Sequence, residues 1–296
     1  KAIKCFFKLN NEIKKIKPDY FISTIVHLNI LSLVLKFYIR KNKVKFIIRE
    51  TNPTFYRKDI GFLLKFLAKI IYPYSYKIIC LSDIVRSELI KNIKNIEDKT
   101  YTIHNPIDFN DIKNKSNQNI NYKFFNKEIN FIYVGRFSYQ KNIPYLISFL
   151  SMLDINFKFL LIGDGNEKNK INNIINNKKI KSKIQILPFI KNPFPYIRKS
   201  DIFLLPSRWE GFGHVIAESL SCNTPVICFK THGIIKEFID TGNVVVLNET
   251  EQSNQIENFL KLINNKFQYS NIDISKIEKL LNIEKIKEIF IKKILS

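Results

Sequence analysis

Asp201-Ile202-Phe203-Leu204-Leu205-Pro206 runs straight into Ser207-Arg208-Trp209-Glu210-Gly211-Phe212-Gly213-His214-Val215-Ile216-Ala217-Glu218, and the reading of this stretch decides the fold. Ile202 to Leu205 is an unbroken apolar run that stops at proline, the pattern of a strand buried on both faces of a parallel sheet. A glycine-rich turn follows, and a helix is expected to start near Gly213. Strand, glycine turn and helix start is the arrangement in which backbone N–H groups and the helix dipole hold an anion. Glu210 falls on the loop at the mouth of that cradle, and Glu218 is expected about two turns into the helix, where it is held rigidly. A fixed carboxylate beside a phosphate cradle suits vicinal hydroxyls such as those of a ribose, so the combination points to a sugar nucleotide. Spacing alone leaves a plainer alternative open, because a Gly-x-Gly turn can merely close a loop.

A second block lies upstream. Ile129 to Val134 is a β-rich apolar run broken by Gly135-Arg136, then come Phe137, Ser138, Lys141-Asn142 and a helical pattern from Ile143. An arginine and a lysine just past the carboxyl end of a strand can clamp a diphosphate; in so basic a chain they can also be solvated surface cations. Between the blocks, Phe157 to Ile162 reads as a buried strand ending in the turn Gly163-Asp164-Gly165, and the apolar stretch Ile184 to Ile190 follows.

Taken together, these residues resemble the retaining glycosyltransferases of family 4, with Glu210 to Glu218 as their E-x7-E signature and Ser219 to Ile227 as the helix end, turn and next strand. The resemblance implies the GT-B fold: α/β, two Rossmann-like domains whose parallel sheets face a central crevice. It implies a retaining, metal-independent transfer of a hexose or N-acetylhexosamine from a nucleoside diphosphate sugar, UDP being favoured on family frequency. No cofactor is implied. The acceptor is expected to be a glycan or a lipid-linked saccharide in bacterial surface polysaccharide or glycoconjugate synthesis. Glu210, Arg136 and Lys141 take the catalytic roles, the two cations on the leaving diphosphate and Glu210 on hydroxyls of the donor sugar. Gly135, Ile190, Gly211, Phe212, Gly213, His214, Val215 and Glu218 complete the donor site, Ile190 through a backbone contact to the base. Family members often carry glycine where this chain has Pro188, which has no N–H to donate.

Composition bounds the rest. With 296 residues and 45% hydrophobic content, the chain is long and apolar enough for two ordinary cores. Forty-eight Lys plus Arg against 26 Asp plus Glu leave a net charge of +22, which attracts anions: nucleotide diphosphates, acidic lipid headgroups or, without specificity, nucleic acid. Abundant Lys, Ile and Asn also fit an A+T-rich genome, so part of the charge carries no functional message. Cys5, Cys80, Cys222 and Cys228 form no C-x-x-C pair and suit a reducing cytosol, and four dispersed histidines give no metal site. The scattered cysteines make a cytoplasmic protein the expectation, with peripheral seating on the inner face of the cell membrane as an added one, and no signal-peptide pattern is read in the sequence. Phe21 to Ile39 reads as a strand to Val26 and a helix from Ile30 rather than as a membrane span.

The expected layout is an acceptor lobe over 1–110, a linker or edge over 111–128, a donor lobe over 129–282, and a terminal helix over 283–296 that in the family often returns to the first lobe. The family's first strand and glycine-rich loop have no counterpart, so the first lobe is expected to be short or truncated. Where many members carry a histidine near the sugar, this chain has Arg49, Glu50 and Asn52, either a functional segment or a loop meeting solvent. Lys65 and Lys69 are expected on one helical face, either against an anionic membrane or as part of an ordinary solvated face. Two other readings stay open: a basic membrane- or nucleic-acid-binding protein with a degenerate GT-B fold, and another GT-B activity such as a phosphorylase or epimerase.

Overall fold

The computed structural model describes residues 2–39, 43–125, 127–177, 180–234, 236–248, 251–264 and 272–295. The chain divides into two compact units, Lys1–Pro106 with Ile283–Ser296, and Ile107–Asn282. Each is built on a parallel sheet, the outcome that alternating strand and helix patterns require.

The first unit runs α1 (Ala2–Ile16), β1 (Tyr20–Thr24), α2 (Val26–Tyr38), β2 (Lys45–Glu50), α3 (Phe62–Ile71), β3 (Lys77–Cys80), α4 (Asp83–Asn92) and β4 (Thr100–Thr102), with the strands paired in that order. Phe46, Ile48, Ile78 and Cys80 of the sheet pack with Leu33, Ala68 and Tyr72 from the helices. Helix α2 starts at Val26, earlier than the Ile30 expected from the pattern, and β1 stops at Thr24. Asn29 accounts for the difference. Its carbonyl oxygen accepts from Ser23 Oγ (2.8 Å) and its amide donates to Glu50 Oε1 (3.0 Å), so a polar residue that looks like a loop signal is satisfied inside the core.

The second unit runs α5 (Phe109–Ser116), β5 (Ile129–Val134), α6 (Ile143–Leu150), β6 (Phe157–Ile162), α7 (Lys168–Asn177), β7 (Ile184–Leu187), α8 (Phe194–Arg198), β8 (Ile202–Leu205), α9 (His214–Ser221), β9 (Val226–Phe229), α10 (Lys236–Ile239), β10 (Val244–Leu247), α11 (Gln252–Asn264) and α12 (Ser275–Leu281). Its strand order is β10-β9-β8-β5-β6-β7. Phe149 packs edge to face on Phe229 of β9 and on Phe259, and those two rings are tilted to each other at 33°. The last helix, α13 (Ile283–Phe290), continues as a π-helical turn over Ile291–Leu295 and belongs to the first unit. There Tyr20 Oη donates to the Leu295 carbonyl (2.8 Å) and Lys77 Nζ to that of Lys293 (2.7 Å).

Two expectations are corrected here. The stretch 111–128 opens inside helix α5 instead of being all linker, and the units divide after Pro106. Asp108 caps α5 by accepting from the Asp111 N–H (2.9 Å), and Ile112 and Ser116 are buried, so a narrow packed stripe suffices to order a polar sequence. On helix α3 the two lysines do share a face, but both are turned to the loop before the helix, Lys69 Nζ lying 5.6 Å from the Phe55 ring centroid. Lys65 turns its ammonium to the carbonyls of Phe55 (2.9 Å) and Arg57 (2.6 Å), while Phe62, Leu63, Phe66 and Ile70 are 48 to 84% exposed. Among the described residues no helix is long and apolar enough to cross a membrane.

Candidate functional site

Strand β5 has β6 on one side and β8 on the other, so the winding of the second unit reverses there. At such a switch point the segments leaving the carboxyl ends of the two strands part and leave a crevice. The segment after β5 carries Gly135 to Lys141, and the segment after β8 carries Pro206 to Gly213. Polar contacts strap the two together. The Arg208 N–H donates to the Gln140 carbonyl (2.8 Å), and Gln140 Nε2 donates to the Trp209 carbonyl (2.9 Å). Lys141 Nζ lies 2.6 Å from Glu210 Oε1, with both side chains mostly buried. The pair brings together two residues that the sequence singled out from different blocks.

A cavity of about 480 Å³ opens in this unit, and Gly135, Arg136, Ile190 and Glu218 are in its lining. Arg136 is exposed, and its guanidinium makes no hydrogen bond or ion pair with any described residue. The main-chain N–H and C=O of Ile190 make none either. Glu218 is the fifth residue of α9, so it stands little more than one turn in, not two. Burial pushes its carboxyl up from the ordinary glutamate value, and the Lys141 ammonium works against that shift. One lysine therefore acts on both glutamates of the spaced pair.

Gly211, Phe212, Gly213, His214 and Val215 stand apart from the cavity lining. Phe212 is buried against Phe238, with ring centroids 5.5 Å apart. Gly213 caps α9 from the left-handed region (φ 93°), a conformation that disfavours residues with a Cβ, and no side chain caps that terminus. Asp164, Phe189 and Phe194 also line the cavity and were not selected from the sequence. Asp164 had a weak signal in its flanking glycines. Gly163 lets the β6 turn lie against Gly135, where the Gly163 N–H bonds to Leu187 and the Gly135 N–H to Ile162 (3.0 Å). Among the described residues no three His, Cys, Asp or Glu side chains cluster as metal ligands.

The sequence model for the family described as "Glycosyl transferases group 1" matches residues 114–281, more than half of the chain. An uncharacterized glycosyltransferase of Methanocaldococcus jannaschii is 29% identical over 240 residues, 77% of this chain and 59% of that protein. The N-acetylgalactosamine-N,N'-diacetylbacillosaminyl-diphospho-undecaprenol 4-alpha-N-acetylgalactosaminyltransferase of Campylobacter jejuni is 29% identical over 224 residues, 74% of this chain and 60% of that protein. The chain thus spans about three-fifths of the length of these relatives. HepE of Anabaena, solved in complex with UDP, superposes with a TM-score of 0.76 at 15% identity over 98% of this chain and 82% of HepE. That likeness is one of fold, and the fold is GT-B.

Proposed function

Because the chain belongs to the group 1 glycosyl transferases, we propose that it is a retaining, metal-independent enzyme of family 4. It moves a hexose or N-acetylhexosamine from a nucleoside diphosphate sugar, UDP favoured, to a saccharide acceptor carried on a lipid diphosphate, in surface polysaccharide or glycoconjugate synthesis. The observation that carries this reading is the meeting of Arg136, Ile190 and Glu218 at one cavity, with Lys141 acting on Glu218. HepE crystallised with UDP supports the base, and the printed name of the Campylobacter relative supports a diphosphate-borne acceptor.

Bond cleavage leaves negative charge on the departing diphosphate and positive charge on the anomeric carbon. Arg136 and Lys141 take up the first, with backbone N–H groups at the start of α9, as charge-assisted donors to the leaving diphosphate. Ionised Glu218 accepts from the ribose hydroxyls, and the Ile190 N–H and C=O meet the base edge. Lys141 shares itself between the diphosphate and Glu210, and Glu210 turns to the hydroxyls of the donor sugar. The acceptor oxygen bonds to the anomeric carbon on the face from which the diphosphate leaves, and its proton passes to a leaving phosphate oxygen. No covalent enzyme nucleophile takes part.

Peripheral seating on an anionic membrane belongs to the same proposal. The apolar face of α3 supports it, together with 25 basic against 10 acidic residues in the first unit, a net +15, compared with 23 against 16, or +7, in the second.

Calorimetric titration with UDP, GDP and UDP-sugars tests the donor reading. Saturable binding of one nucleotide, lost in Glu218→Ala, is expected. No binding at moderate salt, or binding that Glu218→Ala leaves intact, would replace this reading with that of a basic binding protein on a degenerate fold.

A further inference from the structure

Resting on the transferase reading above, we propose that Arg49 is an anion-binding residue of the first unit and takes a phosphoryl group of the acceptor. Arg49 is the next-to-last residue of β2, at the carboxyl end of a parallel sheet, where open α/β folds receive ligands. Its side chain is partly buried, and Nη2 donates to Asn105 Oδ1 in the segment that follows β4. That segment is held in place next door, where His104 Nδ1 meets the Leu81 carbonyl at 2.7 Å. The guanidinium is therefore aimed by a neighbouring strand end and is not a freely waving surface cation.

What it lacks is a counter-charge. No carboxylate lies within ion-pair distance of Arg49 among the described residues. The adjacent Glu50 is the obvious candidate, but successive strand residues point to opposite sheet faces. Glu50 is 2% exposed and sealed into a different network, accepting from Tyr72 Oη and Asn29 Nδ2 on one oxygen and from Thr54 Oγ1 (2.8 Å) on the other. Burial also lowers the Arg49 pKa, the mark of a cation that has lost water without gaining a carboxylate. Withdrawing a charge from water without pairing it is costly, and an arriving anion offsets that cost. The planar fork of a guanidinium matches two phosphate oxygens at once, which an ammonium does not. Phosphate is thus the ligand chemistry that fits, from either a lipid-carrier diphosphate or a phosphate on a soluble saccharide.

The test fills the donor site with UDP and then titrates the whole chain with inorganic pyrophosphate and, separately, with geranyl diphosphate. UDP uptake is scored first and bears on the transferase reading alone. A further equivalent of diphosphate should then bind, and Arg49→Gln should weaken it by about tenfold or more, the worth of a charge-assisted hydrogen-bond pair. Arg49→Lys keeps the charge without the fork and should retain part of the affinity; it also keeps the test readable if the glutamine variant does not fold. Tighter binding of geranyl diphosphate assigns the site to a lipid carrier, and equal binding assigns it to phosphate alone. Absence of the further equivalent, or unchanged affinity in Arg49→Gln, overturns the proposal.

Discussion

At Gly163 an added Cβ would lie 2.0 Å from the Gly135 carbonyl oxygen and 3.0 Å from its carbon, backbone atoms that cannot step aside cheaply. Gly163→Ala is therefore expected to cost on the order of 1–3 kcal/mol as overpacking and to lower the melting temperature by several degrees. Because Gly135 and Gly163 both line the cavity, UDP affinity should fall with it; a variant that melts and binds like the wild type would contradict the geometry. Glu218 gives a second expectation with a definite sign. Burial raises its folded pKa, so on acidification the carboxylate is protonated before an ordinary glutamate near 4.5 would be. If ionised Glu218 holds the ribose, UDP affinity drops at a pH above 4.5 and Glu218→Gln is weak throughout. Affinity that stays flat down to pH 4.5 would exclude that role. Arg136, exposed and unpartnered by any described residue, should lose turnover by about a hundredfold as alanine with its melting temperature unchanged. The sequence singled these positions out because charge and glycine stand where strands end, the place at which open α/β sheets receive ligands. Phe189 and Phe194 were not, since nothing in an aromatic residue's local sequence distinguishes a cavity wall from a core.

The segment after β2 shows how an element's surroundings override its pattern. Thr54 bonds to Glu50, the Tyr56 N–H donates to Glu88 Oε1 (2.5 Å) from α4, and Lys65 of α3 reaches the carbonyls of Phe55 and Arg57. Helical spacing placed Lys65 correctly on α3 but could not foresee that the carbonyls of Phe55 and Arg57, in the loop just before the helix, would take its ammonium. The exposed apolar side chains are left with only Lys69 among them as an exposed cation. Glu88 makes this anchor sensitive to pH. Burial pushes its carboxyl up from 4.5 to about 7, with Glu50 adding to the shift and Lys65 and the loop N–H groups opposing it. A raised folded pKa means that the folded chain holds the extra proton. The stability this gives is complete below 4.5 and is lost as pH rises through about 7. Allowing for partial exposure, the loss is on the order of 1–2 kcal/mol. Melting curves at pH 5 and 8 should show it in the wild type and not in Glu88→Gln; equal pH dependence in the two would mean that Glu88 titrates normally.

For the molecule as a whole, net charge and exposed apolar area fall in the same unit. The first unit holds +15 of the +22 and also the exposed Phe62, Leu63, Phe66 and Ile70. Cosedimentation should show binding to phosphatidylglycerol-containing vesicles, weak binding to phosphatidylcholine alone, and loss of binding at high salt. Replacing Phe62 and Phe66 by aspartate should weaken binding about tenfold or more, since each buried aromatic contributes roughly 1.5–3 kcal/mol. Vesicle binding that ignores both changes would leave the α3 face without this role. At this scale the fold was readable: apolar runs ending at glycine or proline read as buried parallel strands, and the family resemblance implied two sheets, while the switch between β5 and β8 emerged only from the strand order. The division after Pro106 was not, because α5 is ordered by a few buried contacts that a polar sequence conceals. The 2.6 Å bond between Lys141 and Glu210 has a last consequence, for selectivity. A lone inorganic phosphate that captured the lysine would strand a buried carboxylate, so the two halves of the pair have to be replaced together. A ligand that brings both an anion and hydroxyl donors can make that exchange, so inorganic phosphate is expected to compete poorly with a nucleoside diphosphate sugar in the same titration.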